Sequence, residues 1–298
     1  MHLELSQPVD CLCDFTYDFY WQHSGERLLP SGIIPHQKGT SYKYEDLVSC
    51  LKSGEDVHIK GNAGKRLGSS LGVDLKFFGG TGSSLKAGSI IVDGDTGSRM
   101  GISMVSGAIY VKGAVKQPLG NVVEVESDRA GYRKYRSITN ILQEGLGEAL
   151  LSPNILRGDD LCIRDGIIRD TIGARLDTDK RILVEGDAGM STGILMKRGF
   201  IQVEEAGMNT GVLMRGGMII TGNAGEFAGA YMKGGTLIIG GKAKGYVGAN
   251  MKGGTIFYKG EAMLPAALVD GNDIRMLVRL LGISQVEAMM FRKFLRGE

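Results

Sequence analysis

The chain has 298 residues, with 35 Lys and Arg against 33 Asp and Glu, so its formal net charge of +2 argues neither for nucleic acid nor for a membrane surface. No apolar run approaches 18 residues, and no charged leader followed by an apolar stretch opens the chain, which predicts a cytoplasmic protein without a membrane span. Its 4 cysteines, Cys11, Cys13, Cys50 and Cys162, lack the spacing of a zinc or iron–sulfur site and are expected to be reduced thiols, with a metal held by Cys11 and Cys13 as the weaker alternative.

Residues 1–55 hold a dense aromatic run from Phe15 to Trp21, with the chain's only Trp, and are read as an irregular cap or arm. A worn repeat follows over residues 56–125. Gly61-Asn62-Ala63-Gly64 leads to Gly68 and Leu71, an abbreviated coil opens at Gly79 with the strand Ser89-Ile90-Ile91-Val92, and a further coil runs from Gly94 to Gly113. The pattern lapses over residues 126–162, where positions 138–151 have helical apolar spacing and predict a short helix laid on the repeat. In the same segment Arg129, Arg133, Lys134 and Arg136 alternate with Tyr132 and Tyr135. This basic cluster suits either a phosphate or an acidic partner, or else is a solvated linker.

From residue 163 to 260 the repeat returns and becomes regular, and the two arrays are expected to be continuous. Gly193, Gly211, Gly229 and Gly248 open successive blocks; Met196, Met214, Met232 and Met251 follow three residues later, and Gly199, Gly217, Gly235 and Gly254 three after that. Each block carries a β-branched run bounded by glycine, which is the signature of a short strand between tight turns. So small an element cannot bury an apolar face alone, whereas blocks stacked about 4.8 Å apart pair every strand with its neighbours. The expected fold is all-β: a single-stranded parallel β-helix, right-handed, of Gly-rich 18- to 20-residue coils, with an irregular N-terminal cap and a helical C-terminal tail. The Met column, with Leu195 and Leu213, is assigned to the core, and the 47 glycines to corners where a side chain would clash with the next coil. Residues 261–298 form the tail; positions 274–281 read as helical, and Ser284 with Glu287 forms a capping box that opens a helix running to Leu295, the pair capping the end of the stack.

Few constellations in the chain carry chemistry. Gly68-Ser69-Ser70-Leu71-Gly72 matches the G-x-S-x-G pattern of hydrolases, with Ser70 as nucleophile and His58 as base, but the same glycines serve a repeat coil. Asn62, Asp95, Asp187 and Asn223 form an Asx column suited to calcium or, more simply, to turn hydrogen bonds. The third column is basic: Lys197, Arg215, Lys233 and Lys252 each follow a core Met. Like charges stacked in this way repel, so the stripe suits an acidic partner surface, or else it protects an exposed edge from aggregation.

The repeated G-[DN]-[AT]-G-x3-G-x2-M-x2-G motif, as in Gly186-Asp187-Ala188-Gly189 with Gly193, Met196 and Gly199, resembles the GXGXG domain shared by the glutamate synthase large subunit and the β-helical subunit of formylmethanofuran dehydrogenase. A chain of this size without amidotransferase or flavin-barrel segments is more similar to the dehydrogenase subunit. The segment 126–162, the helical tail and the aromatic N-terminus depart from the shortest such subunits, and the related subunit of methylotrophic formyltransferase/hydrolase complexes is a further relative. The resemblance implies an archaeal, non-catalytic scaffold in an oxidoreductase complex of methanogenesis, in which CO2 is reduced and fixed as formylmethanofuran. It further implies no catalytic, cofactor or metal residues in this chain. Tungsten or molybdenum pterin, zinc and iron–sulfur clusters would lie in amidohydrolase-like, molybdopterin-binding and ferredoxin-like partner subunits.

Overall fold

The computed structural model describes residues 1–16, 28–75, 80–259 and 266–295. The aromatic run beyond Thr16, the opening Gly79 and the start of the C-terminal tail lie outside the described residues. The chain divides into two compact units, Met1–Ser152 with Ile167–Asp170, and Pro153–Gly166 with Thr171–Glu298.

The first unit contains β1 (His2–Glu4), α1 (Tyr44–Lys52), β2 (Val57–Lys60), β3 (Ile90–Val92), β4 (Ala108–Val111), β5 (Val122–Val125), β6 (Arg133–Ser137) and α2 (Ile138–Glu144). β1 to β4 pair in parallel in chain order. The register stacks Val57, Ile90 and Ile109 in one row and Ile59, Val92 and Val111 in another, all buried, which is the inward face of a solenoid. β6 then inserts antiparallel between β4 and β5. It carries no repeat pattern because an antiparallel strand pairs with residues that are not its equivalents one coil away. The helix expected over 138–151 ends at Glu144, where Gly145 leaves helical geometry at φ +96°.

The second unit begins with the hairpin β7 (Ile155–Arg157) and β8 (Asp160–Ile163) and continues as a parallel stack of β9 (Asp177–Val184), β10 (Arg198–Ala206), β11 (Arg215–Ala224), β12 (Lys233–Ile239) and β13 (Gly253–Lys259). Ile182, Ile201, Ile219, Leu237 and Ile256 stand in register and are fully buried, as are Met196, Met214 and Met232. The stacked parallel strands make a β-solenoid, as the repeat predicts. The glycine and methionine columns belong together. A Cβ on Gly217, which has φ +80°, would lie 2.5 Å from the Met196 side-chain terminus and 2.8 Å from the Gly199 carbonyl oxygen one coil earlier. Glycine is therefore what lets the thioether of each coil tuck beneath the next.

Leu195 and Leu213 correct the sequence reading. They are half-buried rather than core, and they share a left-handed column with Arg175, Tyr231 and Asn250 at φ between +53° and +59°. The Met196 N–H bonds the Gly193 carbonyl three residues back, so Leu195 takes the third, positive-φ position of a tight turn. That turn swings its side chain out of the core row.

The C-terminal segment adds β14 (Ala267–Leu268), α3 (Gly271–Leu281), α4 (Gln285–Met289) and β15 (Phe291–Leu295). The Ser284–Glu287 capping box is present, but the helix stops at Met289 instead of reaching Leu295. Val286, Met289 and Met290 stay exposed, whereas Phe291 is fully buried and β15 pairs antiparallel with β13, closing its edge. The helices do not cap the stack. Leu277 and Ala288 pack with Ile220, Ile238 and Phe257 on the outward face of the sheet.

Candidate interaction surface

The basic stripe is a true column. The N–H groups of Lys197, Arg215, Lys233 and Lys252 donate to the carbonyls of Leu176, Met196, Met214 and Met232, each one coil earlier, at 2.6–2.8 Å. All four side chains are exposed, and the parallel ladder sets their backbones about 4.8 Å apart from coil to coil. The worn coil places an acid at the equivalent position, Asp177, whose carboxylate accepts from Lys197 Nζ at 3.0 Å and from Arg198 Nε at 2.8 Å. These two hydrogen bonds, Arg198's foremost, hold the Asp177 carboxyl below its ordinary pKa. Further along the row, among the described residues no carboxylate pairs with Arg215 or Lys233.

Sequence reasoning missed Arg175. It is half-buried in the left-handed column two residues before Asp177, and burial first, the Arg215 charge second, draw its guanidinium below its ordinary pKa. It too has no carboxylate partner among the described residues. Beside these cations run Leu195 and Leu213, half-buried, and Tyr231, which is 50% exposed. The strip therefore alternates apolar and basic side chains along one edge of the coils.

The cluster in 126–162 behaves differently. Arg133 grips Glu124 with Nε at 2.9 Å and Nη2 at 2.5 Å; Lys134 reaches Asp128 at 3.0 Å and Glu148 at 2.7 Å; Arg136 donates to Glu148 at 2.7 Å and to Asn140; and Arg129 pairs with Asp56 at 3.1 Å. Lys134 is only 5% exposed. Burial pulls its ammonium pKa down, and its hydrogen bonds to Glu148, Tyr110 and Asp128 outweigh that, so the net shift is upward. Arg133, Lys134 and Arg136 thus each have an internal carboxylate partner, where the sequence offered a phosphate, an acidic partner or a solvated linker.

The remaining candidates resolve into structure. The Ser70 N–H bonds the Ile102 carbonyl at 2.7 Å in a buried turn, while His58 stacks on His2 with ring centroids 4.7 Å apart; no hydrogen bond joins Ser70 to His58. Asn62, Asp95 and Asn223 accept from the N–H groups of Asp95, Ala114 and Lys242 at 2.7–2.9 Å, so these three Asx side chains each tie one coil to the next. Cys11 and Cys13 are buried thiols whose pKa values burial pushes up, that of Cys11 to about 12, which opposes the thiolate a metal needs. Among the described residues no group of three or more His, Cys, Asp or Glu is placed to hold a metal ion. A groove of about 440 Å³ runs along the second unit, floored by Ala188, Ala206 and Ala224 and flanked by Asp187, Glu205 and Glu226. Its sequence signal is the alanine column that follows Asp187, Glu205 and Asn223.

No family model matches the chain. An uncharacterized protein of Methanothermobacter thermautotrophicus is 51% identical over 203 residues, which is 68% of this chain; the chain spans 65% of that relative's length. Among solved structures, the formyltransferase/hydrolase complex from Methylorubrum extorquens, crystallised with methylofuran, aligns over 97% of this chain and 91% of its own at 20% identity and a TM-score of 0.40. A superposition so loose carries no inference about activity.

Proposed function

We propose that this chain is a non-catalytic β-solenoid scaffold subunit of a one-carbon oxidoreductase complex of the formylmethanofuran dehydrogenase type. The supporting observation is the motif itself: Gly, Met and Gly columns in which each glycine admits the methionine of the preceding coil. This is the same G-x2-M-x2-G pattern that resembles the β-helical subunit of that dehydrogenase. A solenoid of this kind acts by geometry, since its hydrogen-bonded ladder holds side chains on successive coils at fixed spacing and so offers partners a rigid ruled edge. The chemistry of CO2 reduction and formyl transfer is assigned to the partner subunits.

The test is a gentle purification of the native chain from its own cells, followed by mass spectrometry and metal analysis. Co-purification with molybdopterin-binding and amidohydrolase-like subunits carrying tungsten or molybdenum supports the proposal. A flavin-containing amidotransferase assembly would move the chain to the glutamate synthase side of the resemblance, and a monomer without metalloenzyme partners would overturn it.

A further inference from the structure

The pair Arg215 and Lys233 in the basic column, with Arg175 in the left-handed column beside it, is an unbalanced feature of the second unit. Arg175 is half-buried and feels the like charge of Arg215, and none of the three forms an ion pair with a carboxylate among the described residues. Within one chain such an arrangement is unfavourable: stacked like charges repel, and burial of a guanidinium removes the water that would screen it. It contrasts with Lys197 on the neighbouring coil, which Asp177 neutralises, and with β6, where every Arg and Lys has an internal carboxylate.

The flank of the row identifies the kind of counter-surface. Leu213 and the half-exposed Tyr231 lie two residues before Arg215 and Lys233 on the same coils, Leu195 continues their column to Arg175, and aromatic and Arg side chains are those that anchor protein interfaces. A phosphate backbone would gain nothing from that apolar column. We infer that this edge is the docking strip for an acidic protein segment, laid along the solenoid so that its carboxylates meet Arg175, Arg215 and Lys233 and its apolar side chains cover Leu195, Leu213 and Tyr231. The inference rests on the scaffold reading and names the chemistry of the partner face.

The experiment uses the full-length chain and a fluorescently labelled random Glu/Tyr copolymer as the acidic, partly apolar probe, with poly-glutamate and a 20-nucleotide oligothymidylate for comparison, read by anisotropy. Arg215→Glu with Lys233→Glu should weaken copolymer binding by about tenfold or more. The matched reversal Lys112→Glu with Lys116→Glu, on the other unit, should change it by no more than about twofold. Tyr231→Ala should weaken the copolymer about threefold or more and leave poly-glutamate unaffected. Circular dichroism establishes that each variant is folded. Equal losses from the two charge reversals would reduce the effect to net charge and overturn the strip, as would oligothymidylate binding at least as tightly through the same residues. Because the probes are synthetic, this result stands or falls separately from which native complex is recovered.

Discussion

At the scale of single residues, neighbours in sequence have opposite jobs. Gly217 sits at φ +80° with a Met196 methyl and a backbone carbonyl where a Cβ would go. Gly217→Ala combines left-handed strain of about 1–2 kcal/mol with overpacking of about 1–3 kcal/mol. The expected loss is about 2–5 kcal/mol, a fall of about 4–20 °C in melting temperature. Gly147→Ala, at an exposed glycine with open space around it, should stay within about 0.5 kcal/mol by the same thermal scan. Leu213 and Met214 make a second contrast. Met214 is fully buried, and Met214→Ala should cost about 2–5 kcal/mol. Leu213 is half-buried at φ +58°, so Leu213→Asn trades partial burial for relief of left-handed strain and should lie within about 1 kcal/mol of wild type in urea unfolding. A core role for Leu213 would make the two losses equal.

At the scale of elements, β6 is held by charge as well as by strand pairing. Lys134 on β6 is raised above its ordinary pKa of 10.5 in the folded state, so its contribution is complete below that value and is lost as pH rises through the folded one. Asp128 is lowered from 3.8, chiefly by hydrogen bonds from Tyr110 and Lys134, so its contribution is complete above that value and is lost as pH falls through the lowered one. Lys134→Met preserves the packing volume and leaves Glu148 with Arg136 and Asp128 with Tyr110. The melting-temperature difference between wild type and Lys134→Met should therefore be most favourable to wild type near pH 7, and should shrink at pH 3 and again above pH 11.5 (about one unit beyond each ordinary pKa). A difference independent of pH would show that the lysine acts only through packing.

At the scale of the whole molecule, what was legible in the sequence is what contacts its own equivalent one coil away. Gly217 against Met196, Ile219 against Ile201 and Asn223 against Lys242 all recur at the repeat length, so the columns announce their contacts. Contacts between non-equivalents were not legible. β6 pairs antiparallel with β4, β15 closes β13 after a capping box that gives a helix's start but not its length, and Arg175 stands two residues before the worn coil's acid yet lies close enough to Arg215 to feel its charge. The same logic yields a prediction for the second unit. If each coil is a self-equivalent unit whose stability comes from its two neighbours, removing one whole period must leave every column intact. Deleting residues 211–228 joins Thr210 to Gly229, places Met232 directly above Met196, and lets the Met196 methyl sit beneath Gly235 instead of Gly217. That variant should retain its β-sheet circular dichroism and a cooperative melt at a lower temperature, with Arg215 gone from the basic row. Deleting 211–219, about half a period, sets Ile220 where Gly211 had turned the corner and puts side chains where the stack admits only glycine. It should melt without cooperativity and be cleaved rapidly by limited proteolysis. If the half-period deletion survived as well as the full one, the columns would not be what holds the solenoid together.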